Sequence, residues 1–186
     1  MKTKNLFLAF AAIMLLGATM PIQAQKKTSG QKTFILKDGK LGPLYIGQSM
    51  NSIPQSFPGL YDKCVYKHES GSDDMDGDWT IDYYQFYKNG KKVFTANFED
   101  NKLYSFTLGA GSSYIKTPEG YYVGYSAREL YKKTRHLVWN NAYEGFVYVT
   151  SGRFTYNINS DMLKGEFPSK VTDFKSNAKI NSIDYR

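Results

Sequence analysis

The sequence predicts an α+β protein. Two tandem units, each a helix followed by an antiparallel meander, are expected to form one sheet with the helices packed on one face. Three observations carry that expectation. Aromatics are 16% of the 186 residues, with 16 Tyr, 12 Phe and 2 Trp, and such side chains favour pleated, half-buried surfaces. Segments of alternating apolar and polar residues recur between glycine-bearing turns. A strand–Gly–Ser–helix pattern also occurs twice along the chain.

Residues 1–24 have the layout of a secretory signal peptide. Lys2 and Lys4 precede the apolar run Leu6–Met20, Pro21 ends it, and Ala24 offers a small residue before Gln25. The run is 15 residues long, shorter than the roughly 20 that a spanning helix requires. No cysteine follows it to accept a lipid, and no second long apolar stretch exists. The mature chain is therefore expected to be exported, without a membrane span, into the periplasm or the extracellular space. Removing Lys2 and Lys4 lowers the formal charge from +7 to +5. Residues 25–40, a basic leader and first strand, carry five lysines against Asp38, which leaves +1 for residues 41–186. A nucleic-acid binder would place its charge on a folded face, so that class is set aside. Cys64 is the only cysteine and cannot close an internal loop. It is either buried and inert or exposed and able to dimerise the protein, and its setting beside Val65 and Tyr66 favours burial.

Thr33–Leu36 and Leu41–Ile46 flank Asp38-Gly39, a tight-hairpin signal. Ser49 can cap a short helix presenting Met50, Ile53 and Phe57 on one face, although Pro54 limits its length. Residues 69–78 read as an acidic, glycine-punctuated loop. Strands are expected at Thr80–Tyr87, Val93–Phe98 and Leu103–Leu108, separated by turns at Lys88–Lys91 and Glu99–Lys102. These close a first unit over residues 41–108. Residues 109–120 read as a linker, and residues 121–186 as the second unit. Ser126-Ala127-Arg128-Glu129 is a capping-box pattern opening a helix to about His136. Strands follow at Gly145–Thr150, Arg153–Ile158 and Ile180–Tyr185.

The repeat aligns Leu44-Tyr45-Ile46-Gly47-Gln48-Ser49 with Tyr121-Tyr122-Val123-Gly124-Tyr125-Ser126, identical at three of six positions. Ile-Gly-x-Ser followed by a short helix and a meander, given twice, resembles the β-lactamase-inhibitor-protein-like fold and its single-copy relatives among outer-membrane assembly lipoproteins. The stretches Gly42–Gly47, Gly59–Asp62 and Lys116–Gly120 look closer still to uncharacterised exported bacterial proteins. The resemblance covers roughly residues 41–158. The chain lacks the paired cysteines of the inhibitors and the acylated cysteine of the lipoproteins, so inhibition of a β-lactamase is not implied.

No motif supports catalysis, a cofactor or a metal. Aligning Gly77 with the glycine of a calcium loop puts Tyr83 where a bidentate Glu belongs, so Asp74–Asp78 reads as a solvated acidic loop. Cys64 and His68 lie four apart on a stretch that reads as a strand, about 13 Å along it and beyond contact. No nucleophile-elbow or phosphate-binding loop is present. Arg128, Lys132 and Arg135 form a basic stripe on the second helix, read as its solvated outer face.

The function expected is non-enzymatic binding of another macromolecule, an unidentified protein, through an open sheet face. The alternative is a glycan-binding module using exposed aromatics. Phe94, Ala96, Phe98, Phe106, Phe154, Tyr156 and Ile158 form the expected buried set. Their neighbours Thr95, Asn97, Ser105, Thr107, Arg153, Thr155 and Asn157 are then expected on the open face. The strand Thr80–Tyr87 is aromatic on both sides. Placing Phe86 inside adds Tyr83, Gln85 and Tyr87 to that face as candidate contacts. Protein recovered from its native host is expected to begin at Gln25. Intact-mass measurement checks this, and retention of residues 1–24 in a membrane pellet would contradict export as a soluble protein.

Overall fold

A computed structural model describes residues 32–73, 77–134, 138–141, 145–165 and 168–186. The signal-peptide segment 1–24 lies outside the described residues. The strands are β1 (Phe34–Ile35), β2 (Lys40–Leu41), β3 (Leu44–Tyr45), β4 (Lys63–Asp73), β5 (Gly77–Lys88), β6 (Lys91–Glu99), β7 (Lys102–Leu108), β8 (Ile115–Lys116), β9 (Val138–Asn141), β10 (Phe146–Ser151), β11 (Phe154–Asn159) and β12 (Ser182–Tyr185). The helix α1 spans Ala127–Thr134. Eight strands form an antiparallel sheet in the order β4-β5-β6-β7-β12-β11-β10-β9. Two separate two-stranded sheets stand beside it, β1 parallel to β8 and β2 antiparallel to β3.

The fold is α+β, but it is not two helix-plus-meander units in a single sheet. Among the described residues there are three sheets and one α-helix. The expected first helix is a single 3-10 turn, Met50–Ser52, and Ile53 after it is extended at φ −71° and ψ 120°. The reason is Pro54, whose ring pushes the preceding residue out of the helical region. The repeat encodes something smaller than a unit. Gly47 and Gly124 both take positive φ, at 87° and 98°, where a side chain would be strained. Their N–H groups donate to Leu103 and Ile180 at 2.7 and 2.8 Å. Each copy is thus a turn that hooks onto a later segment of chain.

Two further expectations change. Asp38-Gly39 does form a tight turn, closed by Lys37 and Lys40, but the flanking runs do not pair with each other. Phe34–Ile35 pairs instead with Ile115–Lys116. Residues 69–73 and 77–78 are not loop but continue β4 and β5 in register, Glu69 opposite Ile81 and Gly71 opposite Trp79. Local polarity masked the strand because its pairing, not its own composition, holds it extended.

The expected apolar set is buried without exception on one face of the large sheet. Phe86 and Phe94 stack with centroids 4.3 Å apart, and Tyr61 meets them edge-on at 4.7 and 6.0 Å. The Tyr61 hydroxyl donates to the Pro54 carbonyl at 2.8 Å, which satisfies a buried polar atom. Across this face α1 contributes Ala127 and Leu130, while Leu36, Leu41, Leu44 and Ile115 arrive from the short strands and loops. Ser126 caps α1 weakly, its Oγ accepting from the Glu129 N–H at 3.4 Å. Residues 135–137 lie outside the described residues, so the expected helix end at His136 is among them. Phe86→Ala removes one ring of the stack and leaves a cavity. It is expected to cost about 3–5 kcal/mol, read from urea unfolding.

Candidate functional site: the open sheet face

The face of the large sheet opposite the core is built by register. Tyr83 lies opposite Asn97, and Asn97 opposite Ser105. Gln85 lies opposite Thr95, Thr95 opposite Thr107, Thr107 opposite Asp184, and Asp184 opposite Thr155. Nine of the ten expected contact residues therefore share this face, with Asn157 opposite Ser182 and Tyr87 bonded to Gln85 at 2.7 Å. Arg153 does not join them. It sits at the turn before β11, its guanidinium 4.8 Å from the Tyr185 ring centroid and its Nε donating to the Arg186 carbonyl.

The middle of the face is a polar ladder in which one buried atom, Asn157 Oδ1, has no hydrogen-bond partner among the described residues. Thr107 Oγ1 donates to Asp184 Oδ1 at 2.7 Å, and Asn157 Nδ2 donates to Asp184 Oδ2 at 2.7 Å and Ser182 Oγ at 2.8 Å. Asn97 Nδ2 donates to Ser105 Oγ at 2.9 Å. Ser105 and Asn157, expected to face solvent, are buried. Short side chains on a pleated surface sit low between neighbouring strands, and Ser105 Oγ and Asn157 Nδ2 are spent on cross-strand partners.

The accessible part lies toward β5. Trp79 and Ile81 are 39% and 41% exposed, and period-two alternation lines them up with Tyr83. Tyr104 is 40% exposed, the extra residue where pairing shifts between Asn97–Ser105 and Phe98–Leu103. The Trp79 indole occupies the space above Gly71, where an added Cβ would fall 2.4 Å from the ring. The acidic-loop reading of residues 69–78 concealed Trp79 and its alternation with Ile81 and Tyr83, which is the signal that identifies this patch.

The opposite face of the β4–β5 hairpin holds a second cluster. Tyr66 OH donates to Asp82 Oδ1 at 2.5 Å, and His68 Nδ1 lies 2.8 Å from the same oxygen. These contacts hold the Asp82 carboxyl below its usual range, the Tyr66 hydrogen bond being the larger cause and His68 the next, and they raise the Tyr66 hydroxyl. Tyr83 is raised in the same way by donating to Glu69. Among the described residues Cys64 has no basic partner of the kind a nucleophilic thiol needs. Burial pushes its thiol up, and its neighbours are the Pro54 carbonyl at 3.6 Å and Gln55 Oε1 at 3.7 Å. Among the described residues no group of three or more His, Cys, Asp or Glu is placed to hold a metal. Asp74 and Asp76 of the acidic segment lie outside them.

The basic stripe on α1 is not a uniform solvated face. Arg128 donates through Nε and Nη2 to the Phe174 carbonyl at 2.9 and 2.6 Å, pinning the helix to that segment. Lys132 pairs with Glu129 at 2.7 Å, and Arg135 lies outside the described residues. Also among the described residues, no helix is long and apolar enough to cross a membrane.

Tyr66→Phe tests the hairpin cluster. A depressed carboxyl value stabilises the folded state above the unfolded value, and that contribution is lost as pH falls through the folded value. Removing the stronger donor is expected to move Asp82 titration upward toward the ordinary range, measured by carboxyl NMR shifts.

No protein-family model matches the sequence, and no curated protein matches it. Among solved structures the chain is similar to the crystal structure of the uncharacterized protein yfeY from Escherichia coli. The two are 18% identical, with a TM-score of 0.48, over 76% of this chain and 95% of that one.

Proposed function

We propose that the mature chain is an exported, non-enzymatic binding protein that engages another protein through the open sheet face, on its β5 side. The supporting observation is the row Trp79, Ile81 and Tyr83, large side chains gathered on a hairpin most of whose surface lies outside the core. Aromatic side chains offer wide contact area with few rotatable bonds, which makes them the usual anchors of an interface. The hydrogen-bonded ladder through Asp184 lies beside them, most of its polar atoms paired across the strands. The ladder's donors are already engaged and its one unpaired atom, Asn157 Oδ1, is buried, so the binding energy is assigned to the exposed aromatic row.

A second reading has its own supporting observation. Half-buried Gln85, Tyr87 and Thr95 set hydroxyl and amide groups next to that row, and this combination also suits a glycan. Cross-linked pull-down from the envelope fraction of the native host, run beside a glycan array, separates the two. The Ile81→Ala variant, which leaves the Trp79 and Tyr83 cross-strand contacts in place, is expected to recover about tenfold less of the partner while keeping its fold, corresponding to roughly 1.4 kcal/mol. Equal recovery by parent and variant overturns the assignment to this row. Array binding with an empty pull-down moves the reading to glycan.

A further inference from the structure

β4 is one edge of the large sheet, and over much of its length no described strand pairs with its outer side. The Cys64 N–H points away from β5 and donates to the Gln55 carbonyl at 3.1 Å. Alternate residues of an antiparallel strand direct their backbone groups to the same side. Tyr66, His68 and Ser70 therefore also direct theirs away from β5, where no described backbone group meets them. Beyond Val65, as far as the described residues go, the strand edge is a template for another strand.

Charge along this edge changes sign about one residue. Lys67 stands on one side of His68 and Glu69 on the other, both side chains exposed and both on the open face. An edge guarded against association carries charge that repels its own copy. Here a two-fold axis through His68 sets Lys67 of each copy opposite Glu69 of the other. An axis through residue 67 or 69 would instead oppose Lys67 to Lys67 or Glu69 to Glu69, so of these neighbouring registers the charges favour the one at His68.

We propose that β4 pairs antiparallel with β4 of a second copy about a two-fold axis at His68, joining two eight-stranded sheets edge to edge. Paired residues would run from Val65 to Gly71, since Gln55 already occupies the N–H of Cys64. Val65 then faces Gly71 of the second copy, the position covered by the Trp79 indole, so the seam gains an apolar contact as well as two ion pairs. Tyr66, 45% exposed, falls opposite Ser70 on the other face. The pairing does not depend on which macromolecule the open face engages. Its geometry would extend that face without interruption across both copies.

The test is sedimentation of the mature chain across a wide concentration range, with four kinds of variant. The parent is expected to form a dimer. Lys67→Glu turns both ion pairs into like-charge contacts and should weaken the dimer on the order of tenfold. The exchange Lys67→Glu/Glu69→Lys rebuilds the pairs in reverse order and should recover most of that loss. In a Cys64→Ser background, His68→Cys should form an intermolecular disulfide, because directly opposed residues of a hydrogen-bonded pair lie about 5.5 Å apart. Ser70→Cys, displaced from the axis, should not. A parent that stays monomeric overturns the proposal, as does a dimer indifferent to Lys67→Glu. Equal cross-linking through positions 68 and 70 overturns the register. A dimer that withstands Ile81→Ala while partner recovery falls shows that the seam and the open face act separately.

Discussion

The pairing of β7 with β12 is the contact on which the rest of the molecule depends. Ile183, Asp184 and Tyr185 lie opposite Leu108, Thr107 and Phe106, and β12 pairs on its other side with β11. The last strand of the chain thereby joins β4–β7 to β9–β11 as one sheet. The same register makes both faces. Ile183 and Leu108 enter the core while Thr107 and Asp184 meet on the open side. A shift of one residue would exchange the two sets, placing a carboxylate in the core and the apolar rings in water. Burial of the apolar set and cross-strand pairing in the polar ladder are therefore two consequences of one alignment.

Around that centre the molecule divides its surface unequally. From β6 to β11 the sheet backs onto a shared aromatic and aliphatic core, closed by α1 and by the two short sheets. The outer part of β4–β5 is held differently. Tyr66 and Tyr84 rings lie 5.6 Å apart across the pair, the Trp79 indole covers Gly71, and Tyr83 bonds to Glu69. Cross-strand side-chain pairs stabilise a two-stranded ribbon without a core beneath it. Residues that serve this purpose stay accessible, which is why most of the large exposed apolar side chains of the described sheet fall on this hairpin.

The polar residues show why exposure alone misidentifies a binding surface. Thr107, Asn157, Ser182 and Asp184 face away from the core, yet their hydrogen-bonding capacity is largely taken up by one another. Arg128 looks like a surface cation in the helix pattern but is committed to the Phe174 carbonyl. In each case a distant segment consumes the polar group, and that segment has no signature at the residue itself.

Much of the sheet was legible in the sequence because its determinants are local. Alternation of Phe94, Ala96 and Phe98 with Thr95 and Asn97 sets which side of β6 enters the core, and Asn89-Gly90 forms the turn its positive φ values require. Ser126 marks the start of α1 for the same kind of reason, a cap acting within three residues. Pro54 also acts locally, and it removed a helix that the apolar spacing alone suggested. The candidate face was legible as a set, since nine of its ten residues do share one side. What only the tertiary structure decided were contacts between residues far apart in the chain. Thr107 and Asp184 are separated by 77 positions, and neither periodicity nor turn chemistry reports a partner at that range. The same holds for the extension of β4 through an acidic, glycine-bearing stretch, where the partner strand supplies the hydrogen bonds that local composition disfavours. Pattern and turns encode which way each strand faces; the neighbour it lies beside, and so the polar groups left free for a partner, is settled only when the chain closes on itself.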